Sequence, residues 1–142
     1  MAQGPIVEAT QARHSAPFGG EPVIDTGVID TLQEMAGEDE PEFLVEIIEL
    51  FLEDSGERIE ELVRVAGEGD APAVARVAHA LKSASASVGA GTLSWSCEEI
   101  EDSIREERAL DLEAEAERVA GMFGEVEQVL ASLKASVQAQ VR

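Results

Sequence analysis

The sequence predicts an all-α protein: an antiparallel up-and-down four-helix bundle with a short additional N-terminal helix. From Val23 onward, apolar residues recur at spacings of three and four, which places them on one side of a helix. No segment alternates apolar and polar residues for long enough to predict a strand. Short breaks rich in Gly, Pro and Asp separate the amphipathic segments, and such short connections join antiparallel neighbours in a bundle.

The first helix is predicted from about residue 27 to residue 36, with Asp25 or Thr26 as its N-cap and Gly37 as its end. Its apolar face consists of Ile29, Leu32 and Met35. Because so short a helix is marginal on its own, we expect it to pack against one end of the bundle.

The second helix begins after Asp39, has Pro41 near its first turn and ends at the Gly67-Glu68-Gly69 break. It is therefore about 26 residues, or roughly 39 Å, long. Its predicted core side chains are Phe43, Leu44, Ile47, Ile48, Phe51, Leu52, Ile59, Leu62 and Val63.

The third helix, from residue 71 to about residue 88, begins after the cap Asp70, has Pro72 in its first turn and ends at Gly89. Its apolar stripe comprises Val74, Val77, Ala78, Leu81, Ala84 and Val88. The fourth helix spans about residues 92 to 108, and Asp111 opens the fifth. Their apolar residues are Leu93, Cys97, Ile100 and Ile104, and then Leu112, Val119, Met122, Phe123, Val126, Leu130, Leu133 and Val137.

The composition excludes several functional classes. The 142 residues include 30 acidic and 10 basic side chains, which gives a formal net charge of -20. This charge repels polyanions, so neither nucleic acid nor an anionic membrane is an expected partner. A single cysteine, no apolar run of membrane-spanning length and no signal-peptide core predict a cytoplasmic protein.

The chain is long enough for one domain. Residues 1–22 mix Gly, Pro, Ser and Ala without periodicity and predict a flexible arm, whereas residues 23–142 form the bundle domain. A bundle of this length can bury its core as a monomer, which is the expected state. One cysteine and one histidine within the domain cannot build a structural zinc site, and no EF-hand spacing is present, so no metal is expected.

Histidine is the most informative residue type, because the chain has only two. His14 lies in the predicted arm, and His79 lies inside the third helix. At about 100° per residue, His79 is well over 100° around the helix from the centre of the apolar stripe, so it is predicted to point to solvent. Its neighbours on that face are the small residues Ala75, Ser83 and Ala86.

The surroundings of His79 suit a nucleophile that attacks phosphorus. An ordinary imidazole is largely neutral at pH 7 and needs no activating base. Arg76 and Lys82, three residues away on either side, bring positive charge that can offset the charge of a transferring phosphoryl group. The alternative is an incidental surface histidine among helix-forming alanines, and periodicity alone favours that alternative.

Other candidate sites are weaker. Gly89-Ala90-Gly91 lacks the lysine and the preceding strand of a phosphate-binding loop, so we interpret it as a helix end. The acidic pairs Glu98-Glu99 and Glu106-Glu107 have no apolar pocket implied around them, and we interpret them as solvated helix surface.

The histidine segment resembles a known family. The run AHALKSASASVGA, residues 78–90, continues to Leu93-Ser94 and to Cys97-Glu98-Glu99-Ile100-Glu101. Its order and spacing closely resemble the pattern of the histidine-containing phosphotransfer (HPt) domain, roughly A-H-x-L-K-[GS]-[SA]-[SA]-x-x-[IVL]-G-A followed by L-S-x-x-C-x-x-[LI]-E. The upstream segments Phe51-Leu52-Glu53-Asp54 and Ile59-Glu60-Glu61-Leu62 also match, so the agreement covers about residues 23 to 108.

The resemblance implies a bundle that accepts a phosphoryl group on histidine from a receiver-domain aspartate and passes it to another receiver. Position by position, it makes His79 the phospho-acceptor and Lys82 the residue that stabilises the phosphoryl group. Ser83 takes the small position that is often Gly, and Gly89 takes the place of the glycine after the helix. The resemblance further implies no kinase activity, no ATP binding and no resident cofactor, with Mg²⁺ supplied by the receiver.

The predicted function is therefore that of a histidine phosphotransfer protein in a bacterial two-component phosphorelay. Receiver domains of response regulators or hybrid histidine kinases are its expected partners, docked on a face formed by Ala75, Arg76, His79, Lys82, Ser83 and Ala86. Two alternatives stay open. One is a binding module that sequesters a receiver without phosphotransfer, and the other is the phospho-accepting domain of a longer histidine kinase.

The charge is unevenly distributed along the chain. Residues 38–62 carry eleven acids and one arginine, and residues 98–117 carry ten acids and two arginines. Residues 63–97, in contrast, carry three basic and two acidic side chains, so the segment that presents His79 is locally near +1. We expect this segment to accept the acidic pocket of a receiver, while the acidic surroundings select partners of complementary charge.

Overall fold

The fold is a bundle of helices throughout the part of the chain that the structure describes. A computed structural model describes residues 23–37 and 40–141, and these form five α-helices and no strand. The helices are α1 (Thr26–Ala36), α2 (Glu42–Gly67), α3 (Ala71–Ser87), α4 (Gly91–Arg105) and α5 (Leu112–Val141). The predicted all-α architecture is confirmed, whereas the predicted arm, residues 1–22, lies outside the described residues.

The four long helices form a ring in the order α2, α3, α4, α5. Packing is most extensive between α3 and α4, followed by α2 with α5 and α2 with α3. Helices α4 and α5 approach each other least, and α1 lies against α2. Among the helices of residues 23–37 and 40–141, none combines the length and the apolar character needed to cross a membrane.

Three helices begin at aspartates that satisfy free backbone N–H groups. The Asp25 carboxylate accepts from the Gly27 N–H at 2.8 Å, and the Asp70 carboxylate accepts from the Ala73 N–H at 3.2 Å. Asp111 accepts from the N–H of residue 114 at 3.1 Å in the same way. Each such cap contributes on the order of 1 kcal/mol, which explains why the starts of α1, α3 and α5 follow the sequence signals closely.

The end of α4 differs from its predicted position at residue 108. The helix ends at Arg105, and Glu107 adopts a left-handed conformation with φ 57. The Arg108 N–H donates to the Ser103 carbonyl and the Glu107 N–H donates to the Ile104 carbonyl, a Schellman pair of hydrogen bonds. Because glycine usually occupies the left-handed position and glutamate stands there in this chain, the sequence carried no signal for the end of the helix.

The core contains most of the predicted apolar side chains, with three exceptions. Met35 is 70% exposed, because the buried residues around α1 are Ile24 and Ile29, near its start. Phe43 and Val63 of α2 are 39% and 41% exposed. Val45 and Val65 are buried instead, each two residues further along. Residues two apart are about 200° apart around a helix, so burial of these valines turns their predicted neighbours outward.

Gly89 joins the end of α3 to the beginning of α1. It has φ 83, and its carbonyl accepts a hydrogen bond from the Asp25 N–H at 2.7 Å. A Cβ atom at this position would lie 2.9 Å from the Asp25 carbonyl oxygen and 3.1 Å from the Cβ of Val28. Gly89 is therefore required both by its backbone conformation and by the close approach of α1.

We predict that Gly89→Ala lowers the free energy of unfolding by about 1–3 kcal/mol, because alanine is strained at positive φ and its methyl group overlaps the α1 backbone. Gly121→Ala is the matched control, since Gly121 lies within α5 with open space around its Cα and should gain up to about 1 kcal/mol of stability. Urea denaturation of both variants measures the difference. Equal stabilities of the two variants would contradict this account of Gly89.

Candidate functional site

His79 stands on the outer side of α3. Its side chain is 60% exposed, whereas Val77, Ala78 and Leu81 around it in sequence are buried against the other helices. These buried residues fix the rotation of α3, and the helical period then turns His79 outward. The imidazole is therefore held on a rigid helix and is open to a large partner.

A carboxylate from α4 contacts the histidine. The Glu101 Oε2 atom lies 2.8 Å from Nδ1 of His79, and the Glu101 Oε1 atom accepts a hydrogen bond from Lys82 Nζ at 3.1 Å. The side chain of Glu101 is only 17% exposed and that of Lys82 is 27% exposed. One carboxylate thus joins the two residues that the sequence singled out, which lie one turn apart on α3.

The packing of α4 on α3 places Glu101. Leu93, Cys97 and Ile100 are buried on the core side of α4. Near the N-terminal end of α4, the Ser94 hydroxyl donates to the Lys82 backbone carbonyl at 2.9 Å. This hydrogen bond fixes the register of the two helices. It therefore sets the position of Glu101 along the helix axis, level with His79.

The ionisation of Glu101 determines which nitrogen of His79 carries the proton. Partial burial opposes ionisation, but the hydrogen bonds from Lys82 and His79 and their positive charge together hold the pKa of Glu101 below its ordinary value of 4.5. An ionised carboxylate only accepts hydrogen bonds, so Nδ1 of a neutral His79 must be the donor. The lone pair is then on Nε2, the outer nitrogen of the ring.

The structure places the other predicted site residues around this contact. Arg76, Ser83 and Ala86 are exposed on α3, and Ala75 is half-buried one turn before His79. The side chain of Arg76 takes no part in the contacts of Glu101. Gly89 lies beyond the end of α3 and serves the α1 junction instead of the histidine face.

Sequence reasoning missed the role of Glu101. The residue closes the family-like pattern, yet the nearby acids were interpreted as solvated helix surface, and the neighbourhood of His79 was interpreted as near +1. That charge was counted over residues 63–97 only and left out Glu101, which lies further along α4. The final Glu of the family-like pattern was the available signal for this contact. A helical wheel of α4, with its apolar side against the core, would have placed that residue next to α3.

Cys97 lies in the core and takes no part in the site. It is fully buried, and burial raises the pKa of its thiol from 9.0 to about 12, with a small opposing effect of Arg118. A thiol with this pKa carries almost no thiolate near neutral pH and acts as a small apolar side chain. Within residues 23–37 and 40–141 there is also no group of three or more His, Cys, Asp or Glu side chains placed so that it could hold a metal ion.

An exposed histidine on a helical bundle, in contact with a partly buried glutamate that also binds a partly buried lysine, is the arrangement expected of a histidine phosphotransfer module. The Hpt domain family model matches residues 46–138. Among solved structures, histidine-containing phosphotransfer protein B (HptB) from Pseudomonas aeruginosa PAO1 is 31% identical, with a TM-score of 0.72; the match covers 82% of this chain and 98% of that protein. Comparison with curated proteins gives no match.

The chain belongs to the Hpt domain family, because the matched segment includes most of α2, all of α3 and α4 and nearly all of α5. Its biochemical role is accordingly histidine phosphotransfer within a phosphorelay. Members of this family interact with receiver domains and have no kinase activity of their own. The predicted family and function class are confirmed at this level.

We predict that Glu101→Gln shifts the tautomer of His79. With the carboxylate in place, Nδ1 should carry the proton and Nε2 should be unprotonated at about pH 8, where a free imidazole is neutral. The amide of glutamine can donate as well as accept, so the variant should populate the Nε2–H tautomer. Long-range ¹H–¹⁵N correlation spectra of His79 measure the populations, and Glu98→Gln on the exposed side of α4 is the control.

The same variant tests the charge of Glu101 through its pH dependence. Because the pKa of Glu101 is lower in the folded protein than the ordinary 4.5, its ionised contacts stabilise the fold fully above that value. Their contribution is lost as the pH falls through the lowered pKa. The difference in unfolding free energy between wild type and Glu101→Gln should therefore shrink as the pH falls below about 4.5, and a difference that grows in that range would contradict an ionised Glu101.

Proposed function

We propose that this protein is a phosphorelay intermediate in which His79 accepts a phosphoryl group from a receiver-domain aspartate and passes it to another receiver, or back. The observation that carries the proposal is the contact of Glu101 with both His79 and Lys82 on an exposed helix face. This arrangement supplies an outward Nε2 lone pair, a fixed ring and a nearby cation. These are the features that an incidental surface histidine lacks.

The transfer step uses His79 as the nucleophile. The lone pair of Nε2 forms a bond to the phosphorus of the receiver's aspartyl phosphate, while the bond from phosphorus to the aspartate oxygen breaks. The bonding electrons leave with the aspartate carboxylate. The phosphorylated ring then carries a positive charge and keeps its proton on Nδ1, where the Glu101 carboxylate stabilises it. Transfer to the next aspartate reverses these bond changes.

Lys82 is proposed to stabilise the phosphoryl oxygens. Its ammonium is 3.1 Å from Glu101 Oε1 and only partly exposed, so its position beside the histidine is defined. An ammonium has three donor hydrogens, and it can keep the glutamate contact while it binds a phosphoryl oxygen. The receiver is proposed to supply Mg²⁺ and the remaining catalytic groups, so that this chain uses no cofactor and no ATP.

The receiver is proposed to dock on the face of α3 formed by Ala75, Arg76, His79, Lys82, Ser83 and Ala86. Small side chains around the imidazole let a concave active site approach closely, and Arg76 offers an exposed cation to an acidic pocket. The interface of a shuttle must release each partner, so we expect about 1,200 Å² of buried surface or less. We further propose that the protein acts as a cytoplasmic monomer.

We predict that His79→Gln abolishes labelling by a phosphorylated cognate receiver, because the amide nitrogen is not a nucleophile. The chain contains a matched control in His14, and His14→Gln should acquire the label as wild type does. Acid-labile incorporation of ³²P measures both variants.

Labelling of His79→Gln at the wild-type level would exclude His79 as the phospho-acceptor. A different outcome is that neither wild type nor His79→Gln acquires label although wild type binds the receiver. The protein would then be a sequestering module and not a transfer intermediate. Binding is measured separately by titration of the unphosphorylated receiver, so the two results are distinguishable.

We predict that Ala86→Trp slows phosphotransfer at least about tenfold, equivalent to about 1.4 kcal/mol in the barrier. Ala86 lies seven residues after His79, about 20° away around α3, so an indole there stands where the receiver must approach. Ala135→Trp on the exposed surface of α5 is the control for the added bulk. Rapid-quench kinetics measure the rates, and a wild-type rate for Ala86→Trp would place the docking surface elsewhere.

A further inference from the structure

Arg76 differs from the other basic residues in its ionic contacts. Every other lysine and arginine within residues 23–37 and 40–141 has a carboxylate oxygen no more than 4.0 Å away. No carboxylate among the described residues is that close to Arg76. In a chain with 30 acidic and 10 basic side chains, an exposed arginine without such a contact requires an explanation.

The sequence of α3 explains why Arg76 has no acidic partner on its own helix. Helix α3, Ala71–Ser87, contains no Asp or Glu. Ion pairs along a helix need an acid three or four residues away. At those positions around Arg76 stand Pro72, His79 and two alanines. The helix therefore leaves the charge of this guanidinium without local compensation.

Arg76 and Lys82 lie on opposite sides of His79. At about 100° per residue, the residue three positions before the histidine is about 60° to one side, and the residue three positions after it is about 60° to the other. Lys82 is on the side of α4, because Glu101 of that helix accepts a hydrogen bond from it at 3.1 Å. Arg76 is therefore on the side turned away from α4, where Glu101 does not contact it.

The two cations consequently present different charges to a partner. The Glu101 carboxylate lies against the Lys82 ammonium and balances its charge, and both side chains are partly buried. The charge of Arg76 has no such balance among the described residues, and its side chain is exposed. Arg76 is thus the cation beside His79 that is open to a carboxylate of another protein.

The receiver of the proposed function has the chemistry that matches Arg76. Its phosphorylation pocket contains the acceptor aspartate and the carboxylates that bind Mg²⁺, so His79 must enter an acidic pocket. A guanidinium binds a carboxylate through two parallel hydrogen bonds, which give direction as well as attraction. Because Arg76 is about one turn from His79, it can reach the rim of that pocket and stay clear of the transferring phosphoryl group.

We infer that Arg76 anchors the receiver by binding an acidic side chain at the rim of the receiver's phosphorylation pocket. Arg76 sets the affinity for the receiver and takes no part in the transfer step. Lys82, whose charge Glu101 balances, acts on the phosphoryl group and contributes little to the attraction between the two proteins. The inference rests on the proposed function and assigns separate tasks to the two cations that flank His79.

Rapid-quench phosphotransfer kinetics test this division. The probe is the receiver domain of the source organism that binds wild type most tightly. Arg76→Ala should raise the receiver concentration at half-maximal rate about five- to twentyfold, because the complex loses a charged anchor. Its maximal rate at saturating receiver should stay within about twofold of wild type, whereas Lys82→Ala should lower the maximal rate at least about tenfold.

Lys134→Ala is the matched control for the change in net charge. Lys134 lies on α5, across the bundle from α3, and pairs with Glu49 at 3.4 Å. This variant should keep the wild-type affinity for the receiver within about twofold. The loss in Arg76→Ala should also shrink as the ionic strength rises from about 0.05 M to about 0.5 M, because salt screens exposed charges.

The inference is overturned if Arg76→Ala and Lys134→Ala have the same affinity for the receiver. It is also overturned if Arg76→Ala lowers the maximal rate as much as Lys82→Ala does, since Arg76 would then act in the transfer step.

Titration of the unphosphorylated receiver separates this inference from the proposed function. A protein that binds the receiver but is never labelled contradicts phosphotransfer, yet a loss of affinity in Arg76→Ala and not in Lys134→Ala would still support the anchor. If His79→Gln abolishes labelling while Arg76→Ala keeps the wild-type affinity, the proposed function stands and the anchor is wrong.

Discussion

The packing of α4 on α3 is the constraint on which the site depends. Val77 and Leu81 from one helix and Leu93 and Ile100 from the other are buried in this contact region of the core. The resulting register brings a carboxylate from α4 to a histidine and a lysine one turn apart on α3. Each polar contact is modest by itself, but the buried apolar surface holds all three groups in place in advance of the proposed phosphoryl transfer.

The negative charge of the chain has two roles. Most acids of α2 and α5 are exposed, where they set the long-range field and the classes of partner that can approach. Glu101 differs from these acids, because its side chain is only 17% exposed and its carboxylate contacts both His79 and Lys82. The position of this acid, and not the net charge, distinguishes it.

Local signals in the sequence were sufficient for the helices and insufficient for the contacts between them. Aspartate caps and the period of the apolar residues located the starts of the helices and the outward direction of His79. The exposure of Met35 and Val63 could not be predicted, because it depends on which neighbours surround each helix. The end of α4 at a left-handed Glu107 had no glycine to mark it, and the Glu101 contact required the mutual register of two helices.

The hydrogen bond between Asp25 and Gly89 has a consequence for the order of folding. An isolated helix of eleven residues is marginal, so α1 derives its stability from docking. Its docking point is the turn after α3, which exists only when α3 has formed and ended. We therefore expect α1 to open before the four long helices, so that its amides exchange with solvent through local openings while the rest of the bundle stays closed.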